Sequence, residues 1–195
     1  MTHDLLHVIE RLRGPAEPHA TDDDGPRAAV AVVLRRGVAD TEILFIRRAD
    51  REGDPWSGHM AFPGGRRDPG DGSLLATALR ETREEVGLDL EREGTVLVRL
   101  PNVQAYARAR PANLIVAPFV FAVDKALTLT PNEEVAEALW CPLGPIVRGE
   151  GTKPFTYRYE GVDYTLPSFD VEGRVVWGLT YRMIELLTEK LRQES

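Results

Sequence analysis

The strongest constraint on this chain lies between Gly64 and Leu88. A Gly-Gly pair is followed there by a segment, Leu74–Val86, that carries every local mark of a docked helix. Ser73 stands where an N-cap hydroxyl belongs and Gly87 where a helix stops. Leu75, Leu79 and Val86 supply an apolar stripe. Against that stripe stand Arg80, Glu81, Glu84 and Glu85. A helix turns about 100° per residue, so the three glutamates fall within an arc of roughly 100°. Like charges spaced i,i+4 repel by a few tenths of a kcal/mol. Arg80 and Arg83 do not alternate with them to cancel the charge. A solvated acidic face is the commoner source of a bare Glu-x-x-Glu-Glu. Here the opposite face docks the helix, and the Gly-Gly turn lets a backbone approach a ligand and offer it a carbonyl. A hard divalent cation, held by carboxylates, water and substrate phosphates, accounts for such a cluster. The expectation is that the acids point away from the core.

The remaining composition narrows the class. The chain has 195 residues, 43% apolar and 28% charged, enough for one globular domain. A net charge of −7 argues against a nucleic-acid-binding face. The single cysteine, Cys141, cannot form an intrachain disulfide and reads as a small buried residue in a reducing compartment. No apolar run approaches the roughly 18–20 residues that span a membrane. Residues 1–14 lack the pattern of a signal peptide. A cytoplasmic protein is expected.

Periodicity predicts a short amphipathic helix at 4–13 and an exposed, acidic linker at 15–26. A buried strand at 28–34 pairs with one at 42–48, and a Pro/Gly-rich loop, 54–65, leads to the carboxylate helix. Strands follow at 96–100 and 114–123. Residues 134–140 fit either strand or helix. Residues 157–160 and 164–166 form a late hairpin about Gly161, and 179–191 a closing helix. The domain plan is an N-terminal helix and linker, 1–26, and a single domain, 27–195. Interleaved strands and helices give an α/β class with a mixed sheet covered by helices.

The run from Arg80 to Leu88, Arg-Glu-Thr-Arg-Glu-Glu-Val-Gly-Leu, resembles the second half of the Nudix box, and Phe62-Pro63-Gly64-Gly65 resembles its entry. The likeness departs at Thr82, usually aliphatic, and at Asp71, usually Glu. The stretch from Asp71 to Arg80 is one residue longer than the standard box. The resemblance implies a Nudix-type α/β/α sandwich. It implies a Mg²⁺ (or Mn²⁺) site with Glu81, Glu84 and Glu85 as ligands and the Gly65 carbonyl completing the shell. It further implies that Arg80 orients a glutamate and that Glu81 helps deprotonate water, so Arg80, Glu81 and Glu84 are the catalytic candidates. A distal loop acid sometimes adds a ligand in this family; Glu134 is the candidate, although a loop acid is more often a plain surface group.

The segment Arg47-Arg48-Ala49, followed by Gly58-His59-Met60-Ala61-Phe62-Pro63-Gly64-Gly65, is similar to the signature of the coenzyme A pyrophosphatase subgroup. Asp68, Thr77, Ala78 and the late Trp177-Gly178-Leu179-Thr180 agree. Ile46 stands where threonine is usual, Asp54 where arginine is expected, and the spacing from Ala49 to Gly58 is one residue longer. The resemblance implies cleavage of CoA or acyl-CoA. Arg47, Arg48, His59, Phe62 and Gly64 are then substrate-binding candidates, with Arg51 a further candidate for the 3′-phosphate. A loop histidine or a strand-end arginine is more often structural or solvated. Trp56, Trp140 and Trp177 read as core or rim packing. ADP-ribose, a dinucleoside polyphosphate (Tyr106 is near the relevant distance) and an oxidised nucleoside triphosphate remain alternatives, as does a non-catalytic nucleotide sensor. The expected partner is a small nucleotide diphosphate derivative, with neither nucleic acid nor membrane and with a homodimer left open.

Overall fold

A computed structural model describes residues 4–13, 27–54, 56–107, 110–124 and 127–192. The stretch read as a linker and the Tyr106 side chain lie outside what it describes. The elements are α1 (Leu5–Leu12), β1 (Arg27–Arg36), β2 (Thr41–Arg48), β3 (Met60–Ala61), β4 (Gly64–Arg66), α2 (Leu74–Val86) and α3 (Leu90–Glu93). They continue with β5 (Gly94–Arg99), β6 (Val103–Ala107), β7 (Arg110–Val123), β8 (Val135–Pro142), α4 (Leu143–Val147), β9 (Thr152–Tyr159), β10 (Val162–Val171), β11 (Arg174–Trp177) and α5 (Gly178–Arg192).

The fold is an α/β sandwich. β1 runs parallel to β7 and antiparallel to β2 and β4, inside a mixed sheet of eight strands. The period of two along β1 divides the core. Ala28, Val30, Val32 and Leu34 face one apolar cluster with α1 and α5. Ala29, Ala31 and Val33 face a second with α2. Burial on both faces explains why β1 reads as an unbroken apolar run. α1 inserts Leu5, Val8 and Leu12 into the first of these clusters. A separate antiparallel sheet, β11-β10-β9, stands beside α5.

Several expectations are sharpened. The ambiguity at 134–140 resolves as strand from Val135 on, because β8 pairs along most of β2. The late hairpin is longer than read and gains β11 as a third strand. The docked face of α2 is rotated from the expected one: Leu74, Ala78 and Val86 are buried with Thr77, Thr82 and Glu85, while Leu75 and Leu79 pack only at its margin. Thr82 fits an aliphatic position because its hydroxyl donates to the Ala78 carbonyl at 2.7 Å, leaving its methyl to pack. Cys141 is buried, which pushes its thiol up to about 12. Among the described residues no helix is long and apolar enough to cross a membrane.

Candidate functional site

The site forms where β4 passes beneath α2. Gly64 lies so close to β1 that a Cβ there would stand 2.3 Å from the Ala29 carbonyl oxygen, and its φ is +153°. A Cβ on Gly65 would stand 2.5 Å from the Glu81 carboxylate. Glycine at both places lets the strand run directly against the helix acids. The Gly64 N–H donates to Glu85 Oε2 at 2.8 Å. The loop after β7 caps the other end of α2: Thr130 N–H donates to the Val86 carbonyl and Asn132 N–H to that of Glu85. This brings Glu134 to the same cavity.

The acids are not equivalent. Glu85 is 2% exposed, which corrects the expectation that it points away from the core. Burial, opposed in part by the Gly64 N–H and reinforced by Glu81, pushes its carboxyl up to about 7. Burial also raises Glu81 above the ordinary carboxylate range, against the pull of Arg80. Glu84 is exposed and held at 3.0 Å by Arg80 Nη1. Arg80 donates to Asp71 through Nε and Nη2, both at 2.9 Å, and lies 3.0 Å from Glu81. Asp71, buried, also accepts from the Thr77 hydroxyl and the Asp68 N–H. Arg80, ahead of the cost of burial, holds the Asp71 carboxyl well below its usual range. A shorter Asp in place of Glu thus still reaches Arg80, across a stretch one residue longer.

Among the described residues no three metal-ligating side chains are already drawn together. Glu81 and Glu85 converge on Gly64–Gly65, while Glu84 stays at the rim with Arg80. One buried and one partly buried carboxyl, Glu85 and Glu81, both with raised pKa values and repelling each other beside a backbone turn, fit a divalent cation, which would relieve both effects. Glu81, Glu84, Glu85 and the Gly65 carbonyl are the groups that would hold it.

Gly65, Glu81 and Glu85 border a cavity of about 1080 Å³. Its lining includes the apolar Val103, Leu114, Val116, Leu179, Met183 and Leu186, interspersed with Gln104, Arg182 and Glu185. Arg48, His59, Phe62 and Gly64 also border it. Phe62 is 2% exposed and stacks on Phe45 at 5.2 Å, so it serves the core at least as much as the cavity. Burial lowers the pKa of His59. Arg47 falls outside this cavity and borders a neighbouring one of about 400 Å³. Two features were missed in the sequence. Asp54, where arginine was expected, accepts from Arg48 Nη2 at 2.7 Å. Burial alone would raise the Asp54 carboxyl, yet Arg48 and the Trp56 N–H together hold it below its usual value. The second is an aromatic wall from β9 and β11; the alternation Phe155, Tyr157, Tyr159 was the signal that could have revealed it.

A family model described as the NUDIX domain matches residues 25–158. The chain is 35% identical over 172 residues to the mitochondrial coenzyme A diphosphatase NUDT8 of Mus musculus, across 85% of this chain and 79% of that protein. It is 28% identical over 187 residues to the uncharacterised Nudix hydrolase NudL of Photorhabdus laumondii, across 93% and 94%. Among solved structures, the NUDIX domain of Shewanella oneidensis NrtR, complexed with ADP ribose, superposes with a TM-score of 0.55 at 16% identity, across 90% of this chain and 94% of that one. A C. elegans Ap4A hydrolase superposes at 0.52 with 22% identity, across 63% and 84%. These two likenesses bear on the fold alone. The matched span holds both the Gly-Gly turn and the carboxylate helix, and with it this chain belongs to the Nudix family: it is a Nudix pyrophosphohydrolase whose sequence resembles the coenzyme A pyrophosphatases.

Proposed function

We propose that this pyrophosphohydrolase splits the diphosphate of CoA or acyl-CoA into 3′,5′-ADP and a 4′-phosphopantetheine product, with Mg²⁺ or Mn²⁺ as cofactor. The observation that carries this reading is the pair Glu81 and Glu85, set against Gly64–Gly65 in a cavity of about 1080 Å³ whose lining is largely apolar. Such a cavity suits a long ligand with a charged middle and an apolar arm. The upstream signature at Arg48-Ala49 and Gly58, and the named activity of the mammalian relatives, favour CoA. Residues 27–195 are taken as one catalytic unit, since α5 walls the same cavity, and a reducing, cytoplasmic setting suits the single buried thiol.

Hydrolysis adds a water oxygen to one phosphorus, breaks its bond to the bridging oxygen and delivers a proton to that oxygen. The cation supplies charge neutralisation on the diphosphate and a lower pKa for the attacking water. Glu81, beside Gly65 and largely enclosed, takes the proton from water. Arg80 fixes Glu81 and Glu84 through contacts of 3.0 Å each. The test is a panel of substrates with Mg²⁺ or Mn²⁺, the products identified by mass. CoA or acyl-CoA is expected to lead, and excess chelator to abolish turnover. A panel led by ADP-ribose, a dinucleoside polyphosphate or an oxidised nucleoside triphosphate would overturn the substrate. Full turnover in chelator would overturn the cofactor.

A further inference from the structure

The two cavities share an aromatic wall that the carboxylate chemistry leaves unused. Trp177, at the end of β11, has the Tyr157 ring at 4.8 Å, Phe155 at 5.0 Å and His59 edge-on at 4.8 Å. Tyr157 in turn lies parallel to Tyr159, within 2°. Phe155, Tyr157 and Tyr159 alternate along β9 and so share one face of the small sheet. None of these rings is fully buried, unlike Phe45 and Phe121 in the core. His59, Tyr157 and Trp177 border both cavities, and the larger one also holds Glu81 and Glu85. A cluster that served only packing would be closed over. This one lines the same cavity as Glu81 and Glu85, which also has the aliphatic Leu114, Val116 and Met183 in its lining.

We propose that this wall is the base subsite: the adenine ring of the nucleotide half stacks on Trp177 and Tyr157, leaving the aliphatic lining to the other half of the ligand. This rests on the reading that the carboxylate site takes an adenine-nucleotide diphosphate. Flat, polarisable rings bind a purine face, whereas a flexible chain gains as much from aliphatic side chains. The wall is assembled from long-range neighbours. β9 and β10 bring Tyr157 up beside β11, and the turn before β3 brings His59 to the same place.

The experiment uses the whole chain and AMP as the probe, with its dissociation constant measured by calorimetry. AMP carries the base without the diphosphate, so turnover does not intrude. Trp177→Leu and Tyr157→Leu keep apolar bulk and remove the flat face. Each is expected to weaken AMP by about tenfold or more, while Trp177→Phe retains most of the affinity. Ribose 5-phosphate, which lacks the base, is expected to bind more weakly than AMP and to be indifferent to all three changes. Circular dichroism checks the fold; should Trp177→Leu unfold, Tyr157→Leu on the partly exposed hairpin decides alone. Unchanged AMP affinity in the folded leucine variants overturns the proposal, as does a loss of pantetheine affinity in place of AMP affinity. The two readings fail separately. CoA hydrolysis with AMP binding insensitive to the wall defeats the subsite and leaves the substrate. AMP binding lost on these substitutions in a chain that does not cleave CoA defeats the substrate and leaves the subsite.

Discussion

At the scale of single residues, Glu85 turns burial into a pH dependence. Its carboxyl is pushed from the ordinary 4.5 to about 7, so the folded state holds that proton more tightly than the unfolded chain does. The favourable contribution is complete below about pH 4.5 and is lost as the pH rises through about 7. For a side chain 2% exposed, the loss is on the order of 3 kcal/mol. His59 works the other way: held neutral by burial, it favours folding above its ordinary 6.5 and loses that contribution as the pH falls. The contrast between wild type and Glu85→Gln isolates the glutamate. In metal-free protein, the melting temperature of the wild type is expected to fall relative to Glu85→Gln between about pH 5 and about pH 8. Saturating Mg²⁺ is expected to restore more stability at the alkaline end, where the carboxylate is charged. Glu85→Gln should also lower kcat by roughly 10²–10⁴-fold. Parallel melting curves for the two proteins, read by calorimetry across the range, would remove burial as the cause.

At the scale of elements, α2 was legible because its signals are local. Ser73 accepts from the Ala76 N–H, and Gly87 adopts the left-handed conformation that ends the helix. Which face docks was not legible, since Thr77 and Thr82 look polar in sequence and are buried by hydrogen bonds to Asp71 and the Ala78 carbonyl. β3 and β4, two and three residues long, carry no periodicity and exist through pairing with β2 and β1. β8, rich in Ala, Glu and Leu, was ambiguous until β2 decided it. The alternation Phe155, Tyr157, Tyr159 is local, but its meeting with Trp177 and His59 depends on contacts between distant strands, which no local pattern encodes. Asp71 shows how an element is tied down, for it joins the loop before α2 to Arg80 in its middle. Asp71→Ala removes two charge-assisted hydrogen bonds to Arg80 and the acceptor of the buried Thr77 hydroxyl, and is expected to cost about 1–3 kcal/mol. The same change should lower kcat through a misplaced Glu81 and Glu84. A thermal midpoint and kcat both equal to wild type would show that Arg80 is positioned by its other contacts alone.

At the scale of the whole molecule, the arrangement of cavities separates three arginines that sequence left equal. Arg48 is engaged by Asp54 at 2.7 Å and Arg51 by Glu134 at 3.2 Å. Arg47 approaches Asp50 and Glu137 only at 3.9 Å each, beyond hydrogen-bond distance. It borders the smaller cavity, whose lining also includes Tyr157, Arg174 and Trp177. Glu137 is drawn to Arg174 through two hydrogen bonds, which leaves the Arg47 guanidinium the more available of that group. If adenosine stacks on the aromatic wall as proposed, Arg47, which borders the second cavity with His59, Tyr157 and Trp177, is the candidate cation for a 3′-phosphate. A charged hydrogen bond there is worth roughly 1.5–3 kcal/mol. CoA is therefore expected to exceed dephospho-CoA in kcat/KM by about tenfold or more. Arg47→Ala should bring the two substrates together by slowing CoA and sparing dephospho-CoA, while Arg51→Ala leaves their ratio in place. Equal kcat/KM for the two compounds on the wild type would show that the 3′-phosphate is not read. A ratio that survives Arg47→Ala would move its recognition to another cation.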